Sequence, residues 1–98
     1  MIRVSLPYHL RTLAGVGPEV TLDIQGPISP NTIIDMLEID YPMLRSTIRE
    51  GDTRQRRAYL RFYACQEDLS HKPMEETLPE EVATGEELFR IVGAIAGG

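Results

Sequence analysis

The sequence predicts an α+β domain with a mixed sheet of four to five strands and one main helix on one face. Three observations predict it: two segments of alternating apolar residues open the chain, one helical segment follows, and two further strand-like segments come after it. The chain has 98 residues, which is the size of one domain. We therefore expect a single domain over residues 1–98, with residues 93–98 as a flexible C-terminal tail.

Two strands are predicted at the start of the chain. The first lies in IRVSLP and ends at Pro7, and the second lies in EVTLDIQG. A connection of about ten residues, with one helical turn around Leu10 to Leu13, separates them and allows an antiparallel pair. The alternating residues expected to face inward are Ile2, Val4, Leu6, Val20, Leu22 and Ile24.

The main helix is predicted within GPISPNTIIDMLEIDYP. Ser29 or Asn31 is its N-cap, because a short polar side chain can accept a hydrogen bond from the free N–H groups of the first turn. Pro42 limits the helix, and MLRSTIRE adds a short second helix. The apolar stripe that would pack on the sheet comprises Ile33, Ile34, Leu37 and Tyr41.

The remaining strands are predicted in RRAYLRFYACQ and LFRIVG. The acidic segment between them is expected to be a loop with one short helical turn. The first and last strands should pair in parallel at the centre of the sheet. The residues expected to face inward are Leu60, Phe62, Ala64, Phe89 and Ile91, and Tyr59, Arg61 and Tyr63 alternate with them on the outer face.

Charge and composition exclude several classes of partner. The net charge is -5 and the sequence pI is about 4.9, which argues against nucleic acid and against an anionic membrane surface. No apolar run approaches the roughly 20 residues of a membrane span, and MIRVSLPYHL lacks the apolar core of a secretory signal. A single cysteine allows no internal disulfide, so we expect a cytoplasmic protein.

No metal or nucleophile site is predicted. His9 and His71 are isolated and lack the spacing of metal ligands. Cys65 has no neighbouring base in the sequence, so a structural cysteine at a strand end is favoured over a reactive thiol. The arginines of GDTRQRR are too few on an acidic protein to indicate nucleic acid, and a solvated loop is favoured over a partner contact.

The order of elements, together with the final Gly-Gly, resembles the ubiquitin-like β-grasp fold and, more narrowly, the MoaD/ThiS family of prokaryotic sulfur carriers. Three departures from the family pattern are visible. Gly93-Ala94 stand where the family often has proline, Cys65-Gln66 where it often has Asn-Gly, and Gly85-Glu86-Glu87 where it usually has Gly-Asp. The stretches that carry the resemblance are IRVSLPYHLRTLAG, ISPNTIIDMLEIDYPMLRSTI, YLRFYACQEDLS and FRIVGAIAGG.

This resemblance implies a carrier rather than an enzyme. An adenylyltransferase resembling ubiquitin-activating enzymes would use ATP and magnesium to adenylate the terminal carboxylate of Gly98. The product would become a thiocarboxylate that gives sulfur to a synthase subunit or another enzyme. Gly97 and Gly98 lack side chains, so they can enter a narrow channel. The chain itself would bind no cofactor. The receiving pathway stays open, but molybdopterin-like cofactor synthesis and cysteine synthesis are favoured over thiamin thiazole formation, because a chain of 98 residues is longer than a minimal ThiS-like protein.

A partner surface is expected on the sheet face opposite the helix, where this fold family generally meets its activating enzyme. Tyrosine and arginine are enriched at binding hot spots, and the alternative is an ordinary solvated strand. The residues we assign to partner binding are Tyr59, Arg61, Tyr63, Arg90 and Val92 on the strands, and Ile95 and Ala96 in the tail.

Two other functions share these features. A ubiquitin-like protein modifier would use the same adenylate and be joined through Gly98 to lysines of target proteins. A non-covalent β-grasp interaction module would leave its tail idle. The sequence alone does not separate these alternatives from the sulfur carrier.

Overall fold

Five strands and three α-helices are found in residues 1–93, the part of the chain that the computed structural model describes. A 3₁₀ turn, Pro42–Leu44, follows the longest helix. The elements in chain order are β1 (Ile2–Ser5), α1 (Tyr8–Ala14), β2 (Glu19–Leu22), α2 (Pro30–Asp40), β3 (Leu60–Ala64), β4 (Glu67–Asp68), α3 (Glu80–Thr84) and β5 (Phe89–Gly93).

The five strands form one sheet in the order β2-β1-β5-β3-β4. β1 pairs antiparallel with β2 and parallel with β5, so the predicted parallel pairing at the centre is confirmed. β5 also pairs antiparallel with β3, with Leu60 opposite Gly93. Consequently β1 and β5 both run toward one edge of the domain, and β3 begins at that edge. We call this the exit end.

The longest helix, α2, begins where the sequence places its cap. The Thr32 N–H donates to Ser29 Oγ at 3.2 Å, and the Ser29 N–H donates to Thr32 Oγ1 at 2.8 Å. The two side chains thus each satisfy one backbone N–H at the start of the helix. Of the two predicted caps, Ser29 is therefore the one used. The helix ends at Asp40, just before Pro42 starts the 3₁₀ turn.

The core lies between α2 and the inward face of the sheet. The alternating residues of β1, β3 and β5 and the stripe of α2 join in one buried cluster. Phe62 and Phe89 lie on adjacent strands with ring centroids 5.3 Å apart. Large side chains that are almost completely buried include Ile2, Leu22, Ile33, Ile34, Leu37, Leu60, Phe62, Phe89 and Ile91.

Several elements differ from their predictions. α1 has seven residues, about two turns, because Leu10 is buried and Gly15, at φ 69°, caps the helix in the left-handed region. β2 stops at Leu22, which leaves Ile24 beyond the strand and only partly buried. β4 was not predicted. None of the helices within residues 1–93 is long and apolar enough to cross a bilayer.

Gly85 fixes the position of α3 against β1. It caps α3 with φ 86°, and a Cβ at this position would collide with the main-chain carbonyl oxygen of Met1. The Arg3 guanidinium donates to the Gly85 carbonyl at 2.8 Å. The glycine of the Gly-Glu-Glu sequence is therefore required by a close backbone approach.

The turn between β3 and β4 carries two residues that do not suit it. Cys65 and Gln66 both have positive φ, 51° and 65°, in a two-residue connection of an antiparallel pair. These are the φ signs of a type I′ turn, which favours Asn-Gly. We expect the double change Cys65→Asn, Gln66→Gly to raise the unfolding free energy by about 1 kcal/mol, as measured by urea denaturation. An unchanged midpoint would contradict strain at this turn.

Candidate functional site

The C-terminal residues singled out by the sequence lie outside the described residues. These are Ile95, Ala96, Gly97 and Gly98. The predicted start of the tail at residue 93 is wrong, because Gly93 is the last residue of β5 and pairs with Leu60. The part of the site that can be built from the structure is therefore the surface around the end of β5.

The outer sheet face brings together four of the residues predicted to bind a partner. Arg61 lies opposite Val92, and Tyr63 lies opposite Arg90, in the antiparallel pairing of β3 with β5. Residues directly opposite each other share a face and stand close together. Ser5 of β1 extends the row, since it is opposite Arg90 in the parallel pair.

Charged pairs dominate this outer face. Arg61 lies 3.7 Å from an Asp68 carboxylate oxygen and 3.5 Å from His71 Nε2. Hydrogen bonds from the Ser70 side chain and main chain lower the pKa of Asp68. On the β1–β2 side, Arg3 Nε donates to Glu19 at 2.7 Å, and this bond lowers the pKa of the Glu19 carboxyl. The face is thus suited to polar, charge-complementary contacts.

Tyr59 does not belong to this row, contrary to its predicted place on the third strand. β3 begins only at Leu60. The Tyr59 hydroxyl donates to the Thr47 carbonyl at 2.9 Å, and its ring lies 6.3 Å from the His9 ring of α1. Tyr59 is therefore at the exit end, beside α1, rather than in the middle of the outer face.

A cleft of about 320 Å³ lies at the opposite end of the outer face, where Tyr63, Leu88 and Arg90 meet the Cys65 turn. Partial burial and the carboxylate of Glu87 raise the pKa of the Cys65 thiol. A raised thiol pKa leaves little thiolate at neutral pH, so the geometry does not equip this cysteine as a nucleophile.

A buried arginine was missed in the sequence. Arg49 donates to Asp35 at 2.5 Å, to Glu38 at 3.1 Å and to the side-chain oxygen of Asn31 at 3.0 Å. The three acceptors are spaced four and three residues apart on α2, which places them on one helix face. That spacing was a usable signal, although nothing in the sequence identified Arg49 as the partner.

The arginines of the loop before β3 are also structural. Arg56 donates to the carbonyls of Leu60 at 2.6 Å and Ser70 at 3.2 Å, and Arg57 donates to the Ser46 carbonyl at 2.8 Å. The prediction of a simply solvated loop is wrong for these two side chains. Their bonds fasten the loop at the point where β3 begins, next to the exit end.

The described part of the chain offers no group of three or more histidine, cysteine or acidic side chains arranged to hold a metal ion. Several of its titratable side chains, among them Arg3, Arg49, Arg56 and Arg57, are used in ion pairs or in bonds to the backbone.

Solved structures share this fold over nearly the whole chain. CysO in the Amycolatopsis orientalis BexX/CysO complex matches with a TM-score of 0.76 and 22% identity, over 100% of both chains. SAMP1 from Haloferax volcanii matches with a TM-score of 0.73 and 19% identity, over 98% of this chain and 97% of that one. A structure of H. volcanii small archaeal modifier protein 1 gives 0.72 and 16%, over 95% of each.

No protein-family model and no curated protein sequence matches the chain. The structural neighbours are MoaD/ThiS-like β-grasp proteins. At this level of identity the likeness establishes the fold, and the predicted ubiquitin-like β-grasp architecture is confirmed.

Proposed function

We propose that this chain is a sulfur carrier that is activated at the terminal carboxylate of Gly98. The observation that supports the proposal most is the full-length match to small β-grasp carrier and modifier proteins. In the chain, β5 is the central strand, and the final Gly-Gly follows it in the sequence after three further residues.

The chemistry requires a good leaving group on the terminal carbonyl. The Gly98 carboxylate would attack the α-phosphate of ATP held with magnesium by a partner enzyme, forming an acyl-adenylate and releasing pyrophosphate. Sulfide (HS⁻) supplied by the partner system would then attack the acyl carbon. The carbon–sulfur bond forms, AMP leaves with its electron pair, and the thiocarboxylate carries sulfur to an acceptor. Glycine at positions 97 and 98 leaves the acyl carbon unshielded.

The fold supplies a fixed root for this reactive end. β5 is paired with β1 at Phe89 and Arg90, and with β3 from Arg90 up to the Leu60–Gly93 pair. The Leu60–Gly93 pair holds the end of β5 against β3, so the position of Gly93 is set by the sheet. A partner that binds the domain can therefore direct the last five residues to one place.

The proposed partners are an adenylyltransferase of the ubiquitin-activating kind and a sulfur-accepting synthase subunit or enzyme, in the cytoplasm. CysO, the sulfur carrier among the neighbours, was solved in a complex with BexX. That complex is a precedent for a protein of this fold docking on another protein. Of the outer-face residues, Arg61, Tyr63, Arg90 and Val92 are proposed to contribute to such docking.

A protein modifier is the second candidate. SAMP1, which has the same fold, is a modifier by name. The adenylate would be identical, but a lysine amine of a target protein would attack the acyl carbon in place of sulfur. The two functions differ only in the product, an amide or a thiocarboxylate.

Exchange of labelled pyrophosphate into ATP tests the shared first step. The probe is the ubiquitin-activating-like enzyme of the same organism, with and without this chain. Exchange that depends on the chain supports activation, and its absence contradicts it. Mass spectrometry of tryptic digests of cell extracts then separates the candidates: the remnant IVGAIAGG, left on target lysines after cleavage at Arg90, would favour the modifier, and a C-terminal thiocarboxylate the carrier.

A further inference from the structure

The centre of the outer face carries an arginine whose charge has no partner among the described residues. Arg90 is exposed on the central strand β5, between Ser5 of β1 and Tyr63 of β3. None of the ion pairs within residues 1–93 includes it. We infer that Arg90 is the residue by which the adenylating enzyme recognises this chain, through a carboxylate that the enzyme presents to the outer face. This inference rests on the proposed function.

The other two arginines of the outer face are already paired. Arg3 donates to Glu19 at 2.7 Å, and Arg61 lies 3.7 Å from an Asp68 oxygen. The bond from Arg3 and, to a smaller extent, the charge of Arg90 lower the pKa of Glu19, so this carboxyl stays ionised and bound to Arg3. A partner that used Arg3 or Arg61 would have to compete with these acids, whereas Arg90 binds a carboxylate without breaking an ion pair.

The side chains around Arg90 determine what a partner must bring. The two residues directly opposite it are Ser5 and Tyr63, neither of which is charged at neutral pH. Val92, two residues further along β5, is 40% exposed, and Leu88 lines the cleft together with Tyr63 and Arg90. A partner that covers these apolar and aromatic groups also removes water from the guanidinium. Because burial of a charge without a counter-charge is unfavourable, the covering surface has to place a carboxylate at Arg90.

The acidic end of the cleft fixes the direction in which this partner lies. Glu87 lines the cleft with Arg90 but forms no ion pair with it among the described residues. Burial, followed by the charge of Glu87, raises the pKa of the Cys65 thiol at the neighbouring turn. A carboxylate of the enzyme is therefore attracted to Arg90 and repelled from the Cys65 turn. Opposite charges at the two places allow one orientation of the enzyme and disfavour the reverse one.

The charge of the whole chain makes this local requirement selective. With a net charge of -5, the chain attracts basic surfaces at long range. A uniformly basic surface that settled on the outer face would place a positive charge against Arg90. Specificity often depends on such a repulsive contact with the wrong partner. The carboxylate opposite Arg90 thus separates the adenylating enzyme from other basic proteins.

Titration of the full chain in the pyrophosphate exchange assay, with the same ubiquitin-activating-like enzyme, tests this inference. Arg90→Gln removes the charge, and Arg90→Glu reverses it. Arg45→Glu is the matched control, because Arg45 is also exposed and also absent from the ion pairs of the described residues. It follows the 3₁₀ turn that packs against α2, on the side of the sheet opposite the outer face. Thermal unfolding identifies the variants that fold.

We expect Arg90→Gln to raise the half-saturating concentration of the chain about tenfold, and Arg90→Glu about a hundredfold, with the maximal rate nearly unchanged. Arg45→Glu should match the wild type. If Arg90→Glu does not fold, Arg90→Gln decides.

Three results would overturn the inference while leaving the proposed function intact. The first is wild-type saturation by the folded Arg90 variants. The second is an equal shift in Arg90→Gln and Arg90→Glu, because a carboxylate of the enzyme distinguishes a neutral from a negative side chain. The third is a shift in Arg45→Glu as large as that in Arg90→Glu. Absence of exchange with the wild-type chain would overturn both the inference and the proposed function.

Discussion

Deleting Gly98 should abolish activation of the chain without unfolding the domain. The deletion shortens the reach of the terminal carboxylate by about 3.5 Å. Because displacement of a reacting group by only 1 Å can cost about a hundredfold in rate, we expect the exchange of pyrophosphate into ATP to fall by at least about a hundredfold. The measurement uses the adenylating enzyme at a saturating concentration of the shortened chain.

Gly98→Ala is the matched variant for this deletion, because it keeps the length and adds one methyl group beside the reacting carbon. Its rate should lie between those of the wild-type and the shortened chain. Equal thermal unfolding midpoints show that any loss arises in the reaction and not in folding. Wild-type exchange by the chain that lacks Gly98 would mean that its carboxylate is not the reacting group.

Replacing Arg49 with alanine should be among the most destabilising single changes in the domain. The Arg49 side chain is 6% exposed and binds both Asp35 and Glu38. Its removal leaves the Glu38 carboxylate and the Asn31 side-chain oxygen without their donor, whereas Asp35 keeps Arg54. Because the Glu38 carboxylate, 17% exposed, loses its partner together with the packing of a buried side chain, we expect a loss of about 2 kcal/mol, a large part of the 5–15 kcal/mol that typically stabilises a domain. Urea denaturation measures this loss.

Arg54→Ala provides the control for Arg49. Arg54 also binds Asp35, at 2.7 Å, but its side chain is 51% exposed. An ion pair open to water contributes less than about 1 kcal/mol, so this variant should unfold close to the wild type. Equal losses in both variants would contradict the view that the burial of Arg49, rather than its charge alone, stabilises the loop on α2.

The sequence was sufficient to predict the elements whose packing leaves a regular pattern. The alternation of Ile2 with Val4, and of Phe89 with Ile91, predicted two strands that face the core, and both are buried as expected. The Ser29 cap and the proline at position 42 predicted the limits of α2. In each case the signal, either a two-residue alternation of apolar side chains or a helix cap, lies in residues that are close together in the sequence.

The features that were missed depend on partners distant in sequence. β4 has two residues, too few for any period, and exists because a tight turn returns the chain to β3. In the sequence, Tyr59 continues the alternation of β3. In the structure, the bond from the Leu60 N–H to the Arg57 carbonyl closes a turn that includes Tyr59, so the strand begins only at Leu60. Arg49 is buried by α2 residues that lie 11 to 18 positions away.

Of the residues predicted to share the outer sheet face, all but Tyr59 do so among those that the structure describes. Alternation placed Arg61, Tyr63, Arg90 and Val92 on an outer face, and the register that sets Arg61 opposite Val92 confirms that grouping. The place of Tyr59 beside α1 could not be predicted, because it depends on the bond from its hydroxyl to the Thr47 carbonyl in a preceding loop. Surfaces built from loops and short helices leave no periodic signal.

Intact-mass measurement of the chain tests the reactivity of the Gly98 carboxylate most directly. The full chain is incubated with the adenylating enzyme, ATP, magnesium and sulfide, and its C-terminal fragment is then sequenced by mass spectrometry. Replacement of one oxygen by sulfur, located on Gly98, is the predicted result. An unchanged chain mass, in the presence of an enzyme that turns over ATP, would contradict the proposal.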